Sequence, residues 1–363
     1  MNDSIPPGYP GIPPRWTSSA KSGIGAAINA QSRIWFTLSH GIINEVYYPS
    51  IDRANTRDLG LLVTDGESFF SEEKRDAHHA VAMLGPGIPA FRLTNTCRQD
   101  RYRISKIVLT DPERPVLLQS MTFEPLKEPF DQYHLYALLA PHIDNCGSEN
   151  SGWIGDYKGT QMLFAQRGDT TLAMACSTPF IAMSCGYVGT SDGWQDLRTH
   201  GRMAWSYPKA ERGNVALTAE IDLASCRGQC VLALAFGPSV AAAAHQARSS
   251  LLEDFKSICD KYRREWGEYQ AACIALSPPT ENTVDYYRVS TAVLKTSEAK
   301  GYAGGVVASL SIPWGASKGD EDLGGYHLVW TRDQVEAAGG DDQDVGIGCH
   351  ELVPSHPGGM LAS

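Results

Sequence analysis

The chain has 363 residues, 42% of them hydrophobic, and a formal charge of −10. That is enough for one large domain or two ordinary ones with a sizeable core. The acid excess argues against nucleic acid or an anionic membrane surface as partner, since both call for clustered Lys and Arg, and leaves a neutral or small polar ligand open.

No stretch of about 18 apolar residues exists, so no membrane span is expected. Met1 to Pro7 lacks a charged and then apolar leader pattern, so no secretory signal is expected. The nine cysteines (Cys97, Cys146, Cys176, Cys185, Cys226, Cys230, Cys259, Cys273 and Cys349) are odd in number and irregularly spaced. They read as reduced cytoplasmic thiols. Cys226 and Cys230 have no second pair nearby in sequence, which argues against structural zinc.

The Pro-rich start, through Pro14, reads as a tethered arm. From there to residue 237 the pattern is of short strands broken by turn signals. Tyr102 to Leu109 precedes the turn Thr110-Asp111-Pro112, and Val116 to Phe123 follows it. Asn214 to Ile221 alternates with a period of two, as a half-buried strand does. Gln229 to Phe236 is nearly all apolar, as a strand buried on both faces is. Many short strands with Gly, Asp and Asn turns predict an antiparallel sandwich. Ser151 to Tyr157, with Trp153 and Tyr157, fits an exposed loop or a packed turn equally well.

After Pro238 the period changes. Ala244, Ala247, Leu251, Phe255, Ile258, Tyr262, Trp266, Tyr269 and Cys273 form one stripe at intervals of three or four. A continuous helix over residues 239–273 would be roughly 50 Å long, with Gly267 as a weak point and Ser277-Pro278-Pro279 as its stop. A second helix is expected from Glu281 to Lys300, with Val284, Tyr287, Thr291 and Leu294 on one face. Gly304 to Ser309 reads as extended, and Gly315 to Gly325 as a polar loop. A last helix starts at Thr331, with Thr331 as N-cap and Gln334 completing a capping box. Val284, Tyr287, Leu294 and Val335 are expected to be partly exposed.

Gly325 to Asp333 (GYHLVWTRD) carries the chemistry. Arg332 and Asp333 offer donors and acceptors in fixed geometry, and Tyr326 and Trp330 offer flat apolar faces with polar edges. That set suits a sugar. Taken alone, the Arg-Asp pairing fits a structural ion pair at a helix start as well. Other acids read as solvated charge, namely Glu72-Glu73, Asp320-Glu321-Asp322 and Asp341-Asp342. No EF-hand spacing is present. His78-His79, and His40 with Glu45, read as surface or structural.

Gly304-Gly305-Val306-Val307-Ala308-Ser309, followed by Tyr326 through Asp333, resembles the start of the catalytic domain of the glucoamylase and glucodextranase family, glycoside hydrolase family 15. The N-terminal half resembles the prokaryotic form of that family. The strings that carry this are Gly11 to Lys21 (GIPPRWTSSAK), Trp35 to Pro49 (WFTLSHGIINEVYYP), Thr56 to Gly60 (TRDLG) and Phe69 to Lys74 (FFSEEK).

The resemblance implies a mainly β fold: a large antiparallel β-sandwich (supersandwich), a helical linker and the first helices of an (α/α)6 barrel. The expected limits are 1–238 for the sandwich, 239–280 for the linker, 281–340 for the start of the barrel and 341–363 for an aberrant or divergent tail. It implies inverting hydrolysis of terminal α-glucosidic bonds on an α-glucan or maltooligosaccharide, with one carboxylic acid protonating the leaving oxygen and one carboxylate activating water. Tyr326, Arg332 and Asp333, with Trp330, would bind the terminal glucose. No cofactor, metal, nucleic acid or membrane partner is implied, the compartment is cytoplasmic, and oligomeric state is left open.

The family's catalytic Glu residues lie far downstream of this string, and no residue here corresponds to them. From Asp341 the sequence has no helical period. The chain is therefore expected to be an inactive N-terminal fragment. The alternatives are a trehalase- or phosphorylase-type relative, and a non-catalytic sandwich that binds glycans or a partner chain.

Overall fold

The computed structural model describes residues 5–274 and 284–339. Asp341-Asp342, the stretch 341–363 with Cys349, and the expected stop at Ser277-Pro278-Pro279 lie outside the described residues.

Two antiparallel sheets face each other, one of eight strands and one of nine. The eight-stranded sheet runs in the order Gly23–Ala26, Trp35–Ser39, Ile42–Tyr47, Thr56–Thr64, His134–Pro141, Val215–Ile221 and Phe180–Tyr187, with Phe70–Glu72 beside Thr56–Thr64. The nine-stranded sheet runs Lys209–Gly213, Asn150–Tyr157, Thr160–Arg167, Thr170–Cys176, Gln229–Gly237, Val116–Pro125, Tyr102–Thr110, Ile88–Cys97 and Ala77–Gly85. Between the sheets lies one core to which alternate residues of each strand contribute, such as Leu59, Leu61 and Val63 against Leu232, Leu234 and Phe236. The expected mainly β sandwich is what the chain forms.

Gln229–Gly237 is buried on both faces for a specific reason. Leu232, Leu234 and Phe236 point into the inter-sheet core, while Ala233 and Ala235 point outward against Ala243, Ala244 and Ala247. Small residues on both surfaces let the helix Val240–Leu252 lie close to the sheet.

Several local expectations are corrected. Val215–Ile221 is not half-buried, because helix Gly193–His200 covers part of its outer face and Thr218 is fully buried. Ser151 to Tyr157 is neither loop nor turn but part of strand Asn150–Tyr157, with Trp153 stacked on Phe164 at 5.6 Å. The linker is two helices, Val240–Leu252 and Phe255–Ala272. The break falls at Glu253-Asp254 because the Asp254 carboxylate accepts the Ser257 N–H and caps the second helix. Gly267 is an ordinary helical position. The apolar stripe continues across the break, and Tyr262 and Trp266 remain buried.

The next helix is Tyr286–Thr296, capped by Asp285, and is shorter than the expected Glu281 to Lys300. Val284 and Val335 are exposed, while Tyr287 and Leu294 are half-buried. The final helix does begin at Thr331, but Thr331 is its first helical residue and not the expected N-cap, a position that Trp330 takes. The Gln334 side chain, however, donates to the Val306 carbonyl at 2.8 Å rather than turning back to close a capping box. The Trp330 carbonyl accepts the first helical bond, from the Gln334 N–H at 2.9 Å.

The N-terminal arm lies on the sandwich, where Asn214 donates to the Pro10 and Ile12 carbonyls and the Ile12 N–H donates to the Val188 carbonyl. It ends at Trp16, which is fully buried in a cluster with Trp35, Tyr47, Val307, Leu310 and Ile312. This cluster seats residues 307–312 on the edge of the sandwich.

Candidate functional site

Tyr326 to Trp330 runs beside residues 306–309, with the Ser309 N–H donating to the Tyr326 carbonyl at 2.9 Å and the Ala308 N–H to that of Leu328 at 3.2 Å. The Trp330 indole N–H turns back to the Gly325 carbonyl at 2.8 Å. A Cβ at Gly325 would come within 3.0 Å of that ring, so a larger residue there would push the indole outward by a few tenths of an ångström. Tyr326 and Trp330 are each 49% exposed. Arg332 is exposed and Asp333 half-buried, in the first turn of the helix. The structure thus places Tyr326, Trp330, Arg332 and Asp333 on one short turn-and-helix edge, with both rings about half exposed.

The loop ahead of this edge is clamped to the sandwich. Trp16 donates its indole N–H to the Gly319 carbonyl at 3.1 Å, and Arg15 donates to that of Ser317 at 3.1 Å. Asp320 is not the solvated acid expected. Its carboxylate accepts the backbone N–H groups of Gly147 and Ser148 at 2.9 and 3.1 Å. Its neighbours serve their own loop: Glu321 accepts the Gly319 N–H and Asp322 that of Gly324.

Glu72 and Glu73 also depart from the expected solvated pair. Glu73 is fully buried and pairs with fully buried Lys106 at 2.6 Å. Lys106 also donates to the Gly41 carbonyl at 2.8 Å. Gly41 has φ +70°, and a Cβ there would strike the Asn95 and His79 side chains. Glu72 accepts the Trp194 indole N–H at 3.0 Å. His79 bonds Asn95 at 2.9 Å and His40 bonds Ser39 at 3.1 Å, so both are structural. Cys226 donates to the Leu223 carbonyl at 3.7 Å, within its own short helix. Among the described residues no group of three His, Cys, Asp or Glu side chains is placed to hold a metal ion.

One site had no role in the sequence reading. Thr17, Asn44, Asp58 and Lys74 come one from each of the four N-terminal strings, and they meet on the outer face of the eight-stranded sheet. Asp58 accepts from Thr17 at 2.7 Å, from Asn44 at 2.8 Å and from Lys74 at 2.8 Å. Burial alone would raise its carboxyl. The Lys74 ammonium and the Arg57 guanidinium, with the bonds from Lys74 and Thr17, outweigh this and hold it below its usual range. No local pattern marks it, because Thr17 lies outside any strand and Lys74 in the short helix Glu73–Asp76. Beside Asp58 opens a cavity of about 360 Å³, bounded by the arm, three central strands and helix Gly193–His200.

The chain matches known proteins over most of its length. A family model described as "Glucodextranase, domain N" matches residues 6–271. A glucoamylase of Clostridium sp. (strain G0005) is 38% identical over 329 residues, which are 91% of this chain and 46% of the relative. The crystal structure of a bacterial glucoamylase complexed with acarbose superposes with a TM-score of 0.88 at 37% identity, covering 93% of this chain and 49% of that one. The chain therefore spans about half the length of the relatives it matches.

Proposed function

The chain belongs to the family marked by the glucodextranase N domain, and from that premise we propose that it supplies the sandwich, linker and one sugar-binding edge of a glucoamylase-like glycoside hydrolase. The reaction is inverting hydrolysis of terminal α-glucosidic bonds in α-glucans or maltooligosaccharides, with release of β-glucose. The observation that carries this reading is the match, over 93% of the chain, to a bacterial glucoamylase bound to acarbose.

In this reading Tyr326 and Trp330 offer apolar faces to the terminal glucose, and Arg332 and Asp333 bond its hydroxyls. The exposed aromatic rings on a turn fixed by main-chain bonds support that role. No residue of this chain is given a proton-transfer role. An inverting enzyme needs two carboxyl groups about 6.5–9.5 Å apart with water between them, and these we assign to the part of the relatives that the chain does not span. By itself the chain is then inactive. A cytoplasmic location is part of the proposal, supported by the odd and irregularly spaced cysteines.

The test is glucose release from maltooligosaccharides and from an α-1,6-linked glucan. The chain as it stands is set beside a version extended through the remaining half of its relatives. Release by the extended version only, as the β-anomer, is the expected result. Release by the short chain would place the acid and base within it, and release by neither would overturn the assignment.

A further inference from the structure

We propose that the cavity on the outer face of the eight-stranded sheet is a second saccharide site, separate from the edge carrying Tyr326 to Asp333 and selective for a small uncharged sugar. At about 360 Å³ it has the size of a small-molecule site. Its floor is apolar. Leu62, Leu138 and Ala216 point outward from three adjacent strands, and Gly60, opposite Leu138 in the ladder, leaves the floor open.

The walls carry both signs of charge. Arg15, Arg57, Lys74 and Arg75 stand among Asp58, Glu72 and Asp192. The carboxylates are already engaged: Asp58 by Lys74 and Thr17, Glu72 by Trp194 and Arg75, and Asp192 as the cap of helix Gly193–His200. Arg57 is different. Its Nε is buried and has no hydrogen-bond partner among the described residues. Nε is out of a ligand's reach, but Nη1 lies 3.4 Å from Asp58 Oδ2 and a third of the side chain is exposed, so the outer end of the guanidinium keeps donors for a ligand oxygen in the cavity.

These groups select the class of ligand. A phosphate or polycarboxylate would have to compete with Asp58 and Glu72 for Arg57, Lys74 and Arg75, which these carboxylates already pair. A purely apolar ligand would leave Arg57 and Lys74 desolvated. A pyranose satisfies both surfaces, with C–H groups on the Leu62–Leu138–Ala216 floor and hydroxyls that accept from Arg57 and exchange bonds with Gln195. The Trp194 indole, fixed edge-on to Phe70 at 5.4 Å, forms the side wall.

The argument needs only a saccharide. The choice of α-glucans as first probes rests on the function proposed above, and a wider sugar set separates the two. Calorimetric titration of the chain with maltose, isomaltose, cellobiose and inorganic phosphate is the test, read together with Trp fluorescence. The expected result is saturable binding of at least one disaccharide and none of phosphate. Arg57→Gln should weaken it by about tenfold or more, and so should Gln195→Ala, which alters a helix-surface side chain and leaves the Asp58 network intact. Trp330→Ala/Asp333→Ala should leave it in place. Binding of cellobiose but not maltose would keep this site and count against the α-glucan reading. Binding of no sugar, binding of phosphate in preference, or binding lost in Trp330→Ala/Asp333→Ala and kept in both cavity variants would overturn the proposal.

Discussion

His142 places its Nε2 3.8 Å from Asp320 Oδ1, across the contact between the sandwich and the loop that leads to Tyr326. That nitrogen is buried and has no hydrogen-bond partner among the described residues. The ring packs at a tilt on Trp16, with centroids 4.9 Å apart. Burial pushes the imidazole from 6.5 down to about 4, against the pull of the Asp320 carboxylate and with some help from Arg57. The folded chain therefore prefers a neutral His142. Between pH 4 and 6.5 the unfolded chain binds more protons, so stability rises with pH across that window. The contribution is full above the unfolded value and is lost as pH falls, on the order of 3 kcal/mol. Melting temperature followed over this range should fall less steeply for His142→Gln than for the parent. Parallel curves would remove His142 as the cause.

Asp320 itself holds the loop. Asp320→Ala removes the acceptor for two backbone N–H groups, Gly147 and Ser148, at a cost of about 1–3 kcal/mol. The Trp16 and Arg15 bonds to the loop remain, so the sandwich should stay folded. Cleavage within residues 315–335 should become several-fold faster in limited proteolysis, mapped by mass spectrometry, and Asp320→Asn, which keeps one acceptor oxygen, should fall between. Unchanged cleavage in the alanine variant would mean that the cluster around Val307 and Leu310 holds the loop without it.

The linker helix is fixed to the sandwich by polar as well as apolar contacts. The Tyr262 hydroxyl lies 2.8 Å from the Ala26 carbonyl and 2.9 Å from that of Pro89, and the Trp266 N–H also reaches Ala26 at 3.0 Å. Tyr262→Phe leaves a buried carbonyl short of a donor, at about 1–2 kcal/mol, or a few degrees of melting temperature. Tyr269→Phe is the control, because its hydroxyl reaches Thr291 only at 3.5 Å. Equal losses in the two variants would argue against a bond-specific effect.

The strands and the linker stripe were legible because burial imposes a period. Cys230, Leu232, Leu234 and Phe236 repeat every second residue, and Ile258, Tyr262 and Trp266 every fourth. The start of the last helix at Thr331 was legible as a local string. What was lost depends on distant partners. Glu73 reads as solvated until Lys106 arrives from the opposite sheet. Asp320 reads the same way until Gly147 and Ser148 are brought to it. The linker break was legible in principle: Asp254 and Ser257 have the spacing of a cap, but the unbroken apolar stripe masks it. Asp58 needed four segments to come together, which no local pattern reports.

The Glu73–Lys106 pair gives the sharpest separation between an interaction and its context. Both side chains are fully buried between the sheets, 2.6 Å apart, with Leu61 N–H and Asn95 also donating to the carboxylate. Burial lowers the Lys106 pKa and the Glu73 charge raises it back only in part. Removing one partner strands the other's charge in the core, so Lys106→Met should cost about 3–5 kcal/mol. Glu73→Leu should cost a similar amount. Replacing both together removes the stranded charge, and the double variant should be markedly more stable than either single one. It will not be free of cost, because the Gly41 carbonyl loses a donor and the Leu61 N–H an acceptor. Denaturant midpoints for the four proteins measure this coupling. If the losses simply add, the two charges do not depend on each other, and the shape of the core around Gly41 would account for both effects.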